Sequence, residues 1–91
     1  MLIVVSYDLP DDRRRTKLAH NLKDFGVRVQ YSVFECSLTD IEMERMKQRL
    51  LKIIDDKEDS LRIYHLAGPR AQVVEAFGRD GYLDFHAPMV I

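Results

Sequence analysis

An α+β fold is predicted by the order of the apolar patterns along the chain and by its length. Segments with the two-residue periodicity of strands alternate with two segments of helical periodicity, in the order β-α-β-β-α-β followed by an additional C-terminal strand. A chain of 91 residues has room for one small domain. The ferredoxin-like arrangement, an antiparallel sheet covered by two helices, is the usual solution for this order at this size. We expect that domain at residues 1–78, with residues 79–91 as a C-terminal tail or strand.

The first strand and the first helix are marked by a buried apolar run and an amphipathic repeat. Residues 2–5 form a continuous apolar run, typical of a strand buried on both faces in the middle of a sheet. Asp8 lies just after this run, and Pro10 stops the strand. A helix is predicted over residues 12–25, with Gly26 as the glycine that follows its last turn. Its apolar stripe consists of Leu18, Ala19, Leu22 and Phe25.

The middle of the chain predicts two short strands or one broken strand. The apolar alternation of residues 27–33 continues in the opposite phase in residues 34–38. Since a slip of one residue turns every side chain to the other face, we expect a bend or bulge near residues 32–33. A capping box in residues 39–42 then begins a second amphipathic helix, which we expect to run to about Asp56.

The last third of the chain predicts further strands. Residues 61–66 and 71–77 are strand candidates separated by a Gly-Pro turn, and residues 78–81 form a second turn. The apolar end of the chain, residues 89–91, has no evident place in a sheet that is already complete. We expect the tail to pack on the partner subunit of a homodimer, because a strand added to the other sheet's edge would cover both.

Composition limits the classes of function. The chain is 46% hydrophobic and 32% charged, as in folded domains, and its net charge of −1 means that any nucleic-acid binding depends on local positive charge. A lone cysteine, Cys36, excludes an intrachain disulfide and a cysteine-based zinc site, and we expect it buried. The amino terminus has no basic flank of a signal peptide and no apolar run is long enough to span a membrane, so we expect a cytoplasmic protein with no membrane partner.

Asp8 is the first candidate for chemistry. It lies at the carboxyl end of a predicted buried strand, where a rigid sheet can present a ligand group at an open end. A carboxylate is a hard oxygen ligand suited to Mg²⁺ or Mn²⁺. Asp8 could instead cap the following helix, although Asp11 and Asp12 compete for that position.

Four cationic residues crowd the start of the first predicted helix. Cations at a helix amino terminus oppose the helix dipole, so helix stability does not explain them. Phosphate binding does, because a guanidinium grips phosphate oxygens in a fork geometry. The alternative is a solvated face paired with Asp11 and Asp12. These candidate phosphate ligands are Arg13, Arg14, Arg15 and Lys17.

The aromatic residues and the histidines carry weaker signals. Tyr7 and Phe34 could stack on bases, although core packing is the simpler interpretation of each. His20, His65 and His86 have no metal-ligand spacing, so we expect surface or hydrogen-bonded core imidazoles.

Two segments, "VSYDLPDDRRR" and "FGVRVQYSVFEC", resemble the paired signature of the second core CRISPR-associated protein family, which belongs to the spacer-acquisition machinery. A third segment, "LRIYHLAG", resembles the fourth strand of that family. In that family a strand ends in Tyr-Asp, an arginine-bearing helix follows, and then a Gln-x-Ser-Val-Phe strand. The resemblance covers residues 1–77, and the spacing between the Tyr-Asp pair and the second segment makes it specific.

The resemblance implies a ferredoxin-like homodimer in which Asp8 of each chain faces its mate across the twofold axis and holds Mg²⁺. It implies metal-dependent cleavage of single-stranded RNA or double-stranded DNA. It also implies an architectural role, in which the dimer bridges dimers of the integrase subunit along pre-spacer DNA. By position, the family's activity-linked residues match Tyr7, Arg15, Arg28, Ser32 and Phe34.

Three functions therefore stand as hypotheses. The first is an Mg²⁺-dependent endonuclease in which two Asp8 carboxylates bind metal while Arg15 and Arg28 hold phosphates. The second is a non-enzymatic adaptor that binds duplex DNA and the integrase subunit. The third is a small-molecule regulatory domain, against which the run Arg13-Arg14-Arg15 counts.

Overall fold

A computed structural model describes residues 1–86 and has the predicted α+β architecture, with eight elements in one six-stranded antiparallel sheet and two helices. The strands lie in the order β2-β3-β1-β4-β5-β6. In residues 1–86 neither helix has the length and apolar character that crossing a membrane requires. The elements are β1 Leu2–Asp8, α1 Asp12–Leu22, β2 Gly26–Gln30, β3 Val33–Ser37, α2 Asp40–Leu51, β4 Ser60–His65, β5 Val73–Gly78 and β6 Leu83–His86.

Strand β1 lies in the middle of the sheet, as its continuous apolar run predicts. It pairs with β3 on one side and with β4 on the other, both antiparallel. Ile3 and Val5 are fully buried, and the strand continues beyond the predicted residues 2–5 to include Asp8. Pairing with β4 explains the extension, because β4 remains paired with β1 as far as Asp8 and Ser60.

Both helices pack on one face of the sheet. Residues of α1 and α2 bury their apolar stripes against alternate residues of β1, β3 and β4, which confirms the two predicted amphipathic helices. The opposite face, called here the open face, carries Leu2, Asp8, Leu83 and Phe85 by register with their strand neighbours. Three of its apolar side chains are partly exposed: Leu2 is 41% exposed, Leu83 44% and Phe85 37%.

The segment after α1 forms a tight hairpin of two strands. Its turn lies at residues 31–32, and the register shift lies between Arg28 and Gln30, so the bulge predicted at residues 32–33 occurs earlier in the chain. The opposite phases of β2 and β3 therefore reflect a turn and a bulge together. Gly26, predicted to follow the last helical turn, is the first residue of β2. The position requires glycine, because a Cβ there would lie 2.2 Å from the carbonyl oxygen of Glu35.

The helix ends differ from their predicted positions. Asp11 is the N-cap of α1 and accepts a hydrogen bond from the amide of Arg14, and the predicted capping box begins α2. Helix α1 ends at Leu22 and α2 at Leu51, several residues before the predicted ends. Phe25 is half-buried in the turn after α1, so an apolar residue can extend a helical pattern beyond the helix itself.

The C-terminal part of the chain adds two strands to the sheet. Strand β5 follows the predicted turn, and residues 78–81 turn the chain so that β6 pairs with β5 of the same chain. Gly78 has φ 113°, and a Cβ there would lie 2.1 Å from the carbonyl oxygen of Asp59. The apolar end at residues 89–91 lies outside the described residues, and packing of residues 79–91 on a partner subunit stays a prediction.

Phe34 and Val33 should differ in their effect on stability, because they point to opposite faces of β3. Phe34 is fully buried in the helix-covered core, whereas Val33 is only half-buried. Phe34→Ala should lower the free energy of unfolding by about 3–5 kcal/mol, and Val33→Ala by less than about 1.5 kcal/mol. Urea unfolding of both variants measures the difference. Equal losses would contradict the assignment of the two faces.

Candidate nucleic-acid and metal site

Asp8 ends β1 with its carboxylate exposed at the edge of the open face. Its register partner on β4 is Ser60, and 70% of its side chain is accessible. Its Oδ2 accepts a hydrogen bond from Nη2 of Arg79 at 2.9 Å. Since Asp11 provides the N-cap of α1, the alternative role of Asp8 as a helix cap is not the one observed.

A metal site within one chain would need more ligands than Asp8. In residues 1–86 no group of three or more His, Cys, Asp or Glu side chains is placed to hold a metal ion. Asp8 supplies one hard carboxylate, suited to Mg²⁺ or Mn²⁺, and its neighbour Arg79 is a cation. Within residues 1–86, Asp8 is therefore a single candidate ligand at this position, and metal binding there stays a prediction.

Tyr7 lies on the face of β1 opposite Asp8 and belongs to the core. Its side chain is 4% exposed, its hydroxyl donates to the carbonyl oxygen of Tyr31 at 3.3 Å, and its amide donates to the carbonyl oxygen of Ser32 at 3.1 Å. Phe34 is fully buried, with its ring centroid 6.4 Å from that of Tyr7. Tyr7, Ser32 and Phe34 therefore meet around the β2–β3 hairpin, and the side chains of Tyr7 and Phe34 lie on the helix-covered face, opposite Asp8.

Arg14 is engaged within the fold, and the phosphate-binding role predicted for it stays a prediction. Its Nε donates to Oδ2 of Asp59 at 2.8 Å and its Nη2 to Oδ1 of Asp59 at 3.1 Å and to Glu58 at 3.0 Å. Asp59 is completely buried. Burial opposes its charged form, but hydrogen bonds from Arg14 and from the amide of Asp55 outweigh that effect and lower the pKa of Asp59.

Arg15 is also engaged within the chain. Its Nη1 donates to the carbonyl oxygen of Leu9 at 3.0 Å, and its Nη2 binds the carboxylate of Asp12. The Asp12 carboxylate and the Tyr31 phenol raise the pKa of the Arg15 guanidinium. This residue therefore fixes the loop after β1, as predicted by the alternative in which the cations of α1 pair with Asp11 and Asp12.

Arg13 and Lys17 are the exposed cations of α1. Both lie along a groove of about 690 Å³ between the two helices, together with His20 and Lys52. In residues 1–86 neither Arg13 nor Lys17 forms an ion pair. Their positive charge is therefore available to a phosphate, which is the role predicted for them.

A second basic pocket, called here the α1–β2 pocket, lies between α1 and the hairpin. Its volume is about 260 Å³, and Arg28 borders it with a guanidinium 5.3 Å above the Phe34 ring. The spacing of Arg15, Ala19 and Lys23 on one helical stripe was a signal for this pocket that the sequence analysis missed. Its lining residues are Tyr7, Arg15, Thr16, Ala19, His20, Lys23, Arg28 and Tyr31.

A buried polar cluster that the sequence patterns do not predict joins α2 to strands β4 and β5. Glu75 accepts a hydrogen bond from Nζ of Lys47 at 2.9 Å and lies 2.8 Å from Nε2 of His65. Burial opposes ionisation, but these two partners outweigh it and lower the pKa of Glu75. His65 is thus a core imidazole. Cys36 is 1% exposed, which confirms the prediction that it is buried, and burial raises the pKa of its thiol to about 11.

Fold and site together define a small ferredoxin-like α+β protein with an exposed carboxylate at the end of its central strand and unpaired cations on the neighbouring helix. Residues 1–72 match the family model of the CRISPR associated protein Cas2. The chain belongs to this family.

Relatives across bacteria support the assignment. The chain is 44% identical to the CRISPR-associated endoribonuclease Cas2 1 of Moorella thermoacetica over 100% of both chains, and 49% identical to the CRISPR-associated endoribonuclease Cas2 3 of a Synechocystis species over 85% of this chain and 84% of the relative. A solved structure from Thermus thermophilus, described as hypothetical protein TT1823, has 51% identity and a TM-score of 0.70 over 74% of this chain and 82% of its own. Streptococcus pyogenes Cas2 at pH 6.5 has 43% identity and a TM-score of 0.69 over 74% and 87%.

Replacement of Arg14 should destabilise the fold at neutral pH. Arg14→Ala leaves Asp59 buried without its cation, so its melting temperature should fall by about 5 °C or more, while Arg13→Ala should remain within about 2 °C of wild type. Because the pKa of Asp59 is lowered by folding, its contribution is present at pH 7 and is lost as the pH falls below about 4. Thermal unfolding at pH 7 and at about pH 2 measures both effects. An unchanged Arg14→Ala melting temperature at pH 7 would show that the ion pair does not support the fold.

Proposed function

We propose that the chain is an Mg²⁺-dependent endonuclease that hydrolyses phosphodiester bonds during the acquisition of CRISPR spacers. The observation that carries the proposal is the exposed carboxylate of Asp8 at the end of the rigid central strand. Relatives with 44% and 49% identity bear the name endoribonuclease, and a third from Thermus thermophilus, with 51% identity, bears the name endonuclease. Either single-stranded RNA or double-stranded DNA is the substrate, and Mn²⁺ can replace Mg²⁺ as a hard cation.

A homodimer supplies the second carboxylate. Asp8 lies on the open face, which also exposes Leu2, Leu83 and Phe85, while both helices cover the opposite face. A domain of this size buries a smaller fraction of its unfolded surface than a larger domain does, so contact with a second copy stabilises both chains. Packing two open faces together around a twofold axis brings the two Asp8 residues into one interface.

Asp8 of each copy holds the metal in this proposal. When bound, Mg²⁺ would polarise a phosphoryl oxygen and lower the pKa of a bound water. Arg79 now pairs with Asp8 at 2.9 Å in an exposed position, where an ion pair is weak and exchangeable. A phosphate that approaches Asp8 would therefore find the Arg79 guanidinium within reach as a second ligand.

Exposed cations of α1 and β2 hold the nucleic-acid backbone. These cations are exposed: Arg13 and Lys17 lie along the groove of about 690 Å³, and Arg28 lies in the α1–β2 pocket. Cationic contacts to phosphate carry no base preference, so the binding is independent of sequence and sensitive to salt. The net charge of −1 keeps the affinity modest.

The alternative is an adaptor that does not cleave. It is favoured by the ion pair between Asp8 and Arg79, which gives the carboxylate a structural partner within the chain. As an adaptor the homodimer binds pre-spacer duplex DNA through the same cations and bridges dimers of the integrase subunit. Cleavage would then be dispensable for spacer acquisition.

Asp8→Asn separates the two functions. The amide keeps the shape of the side chain but is a poor ligand for Mg²⁺, so cleavage of single-stranded RNA and double-stranded DNA should fall at least about 100-fold, while the fold and duplex binding persist. Asp56→Asn, at another exposed aspartate, is the matched control. Single-turnover assays with Mg²⁺ and with EDTA measure the effect. Undiminished Mg²⁺-dependent cleavage by Asp8→Asn would remove Asp8 from the site.

The protein should sediment as a dimer at micromolar concentration. Leu83→Ser on the open face should weaken dimerisation at least about tenfold, because each dimer loses the burial of two half-exposed leucine side chains, worth about 0.7 kcal/mol or more each. Ile41→Ser is the matched control, since Ile41 is 73% exposed on α2. Sedimentation equilibrium measures the association constants. A wild-type mass of 10.7 kDa at all concentrations would contradict the homodimer.

A further inference from the structure

The α1–β2 pocket combines unpaired cations with an exposed aromatic ring. We propose that it binds one unpaired nucleotide of a single-stranded nucleic acid, with the base stacked on Tyr31 and its phosphate held by Lys23 and Arg28. This inference rests on the proposed nucleic-acid function and adds a binding site for a single strand that is separate from Asp8.

The charge of the pocket favours an anion. Lys23 and Arg28 are exposed, and neither pairs with a carboxylate in the part of the chain that the structure describes. No Asp or Glu is among the described residues that line the pocket, and His20 adds a third group that can donate a hydrogen bond. Unpaired cations around a concave surface attract phosphate more strongly than the same charges on a flat surface.

Tyr31 provides the surface for a base. It lies in the turn between β2 and β3 and is 71% exposed, although an aromatic ring of this size usually contributes to a core. The turn is held in place, because the carbonyl oxygen of Tyr31 accepts a hydrogen bond from the buried Tyr7 hydroxyl. A fixed and exposed tyrosine beside cations is the combination that single-strand binding surfaces use.

The size of the pocket limits its ligand to about one nucleotide of a nucleic-acid strand. Its volume of 260 Å³ is below the range of about 300–1,000 Å³ that accommodates drug-sized ligands, so it can take one phosphate group with part of a sugar while the base lies on the exposed Tyr31 ring. A base inside a duplex has both faces covered by its neighbours. It therefore cannot present a face to Tyr31, whereas an unpaired nucleotide can do so while its phosphate contacts Lys23.

The pocket is also independent of the metal site. It is bordered by Tyr7, whose side chain points to the helix-covered face of β1, whereas Asp8 lies at the end of the open face. A strand bound at Tyr31 is therefore held on one side of the sheet end while the carboxylate lies on the other. Such a site would anchor the single-stranded part of a substrate and would persist without metal.

The test is binding of a single-stranded oligothymidylate and of a blunt duplex of equal length, with EDTA present. Fluorescence anisotropy gives the affinities, and a central 5-iodouracil allows photocrosslinking to a stacked aromatic residue. Tyr31→Ala should weaken single-strand binding about tenfold, leave duplex binding unchanged and abolish the crosslink, while Tyr31→Phe should retain all three properties. Lys23→Ala should reduce the salt dependence of single-strand binding by about 0.7 of a log–log unit.

Arg45→Ala is the matched control, because Arg45 is an exposed arginine of α2 outside the pocket. The proposal is overturned if the wild type does not bind the single strand, if it crosslinks at a residue other than Tyr31, or if Tyr31→Ala weakens duplex and single strand equally. It is also overturned if Arg45→Ala has the same effect as Lys23→Ala. None of these results depends on cleavage, so loss of the metal site in Asp8→Asn would leave this outcome unchanged.

Discussion

The position of β1 between β3 and β4 constrains most of the structure. Two backbone ladders hold this strand, with β3 from Leu2 to Ser6 and with β4 from Ile3 to Asp8, and Ile3 and Val5 are buried against both helices. Pairing with β4 as far as Asp8 fixes the last residue of the strand relative to the sheet. The loop that follows β1 therefore starts from a defined point, and the Asp11 cap and the Arg15 contacts fix the direction in which α1 leaves it.

The pleat of the same strand divides the candidate chemistry into two places. Neighbouring residues of a strand point to opposite faces, so Tyr7 enters the helix-covered core while Asp8 emerges on the open face. Tyr7 then supports the hairpin turn that exposes Tyr31, and Asp8 meets Arg79 from the turn after β5. One strand end thus presents a carboxylate on one side of the sheet and positions a basic pocket on the other.

The cations of α1 have different roles although they are consecutive in sequence. A helix turns by about 100° per residue, so Arg13, Arg14 and Arg15 point in three directions. Arg14 reaches the buried Asp59, whose charge would be costly without a partner, and Arg15 reaches the loop after β1. Arg13 points away from both and keeps its charge for solvent or a ligand. Electrostatic binding in a protein of net charge −1 therefore depends on a few unpaired cations.

Sequence by itself determined the fold class, the buried central strand, both helix starts and the buried state of Cys36, since these follow from apolar periodicity and local capping chemistry. It also determined the family, because the resemblance rested on segments of sequence within residues 1–77 and the family model matches residues 1–72. Only the tertiary structure decided that Arg14 pairs with Asp59, that Asp8 meets Arg79 and that Lys23 joins Arg28 and Tyr31 in one pocket. Arg14 and Asp59 are 45 positions apart in the chain, Asp8 and Arg79 are 71 apart, and Lys23 and Tyr31 are 8 apart. Which of these residues meet depends on how the strands and helices pack, and local sequence patterns do not encode that packing.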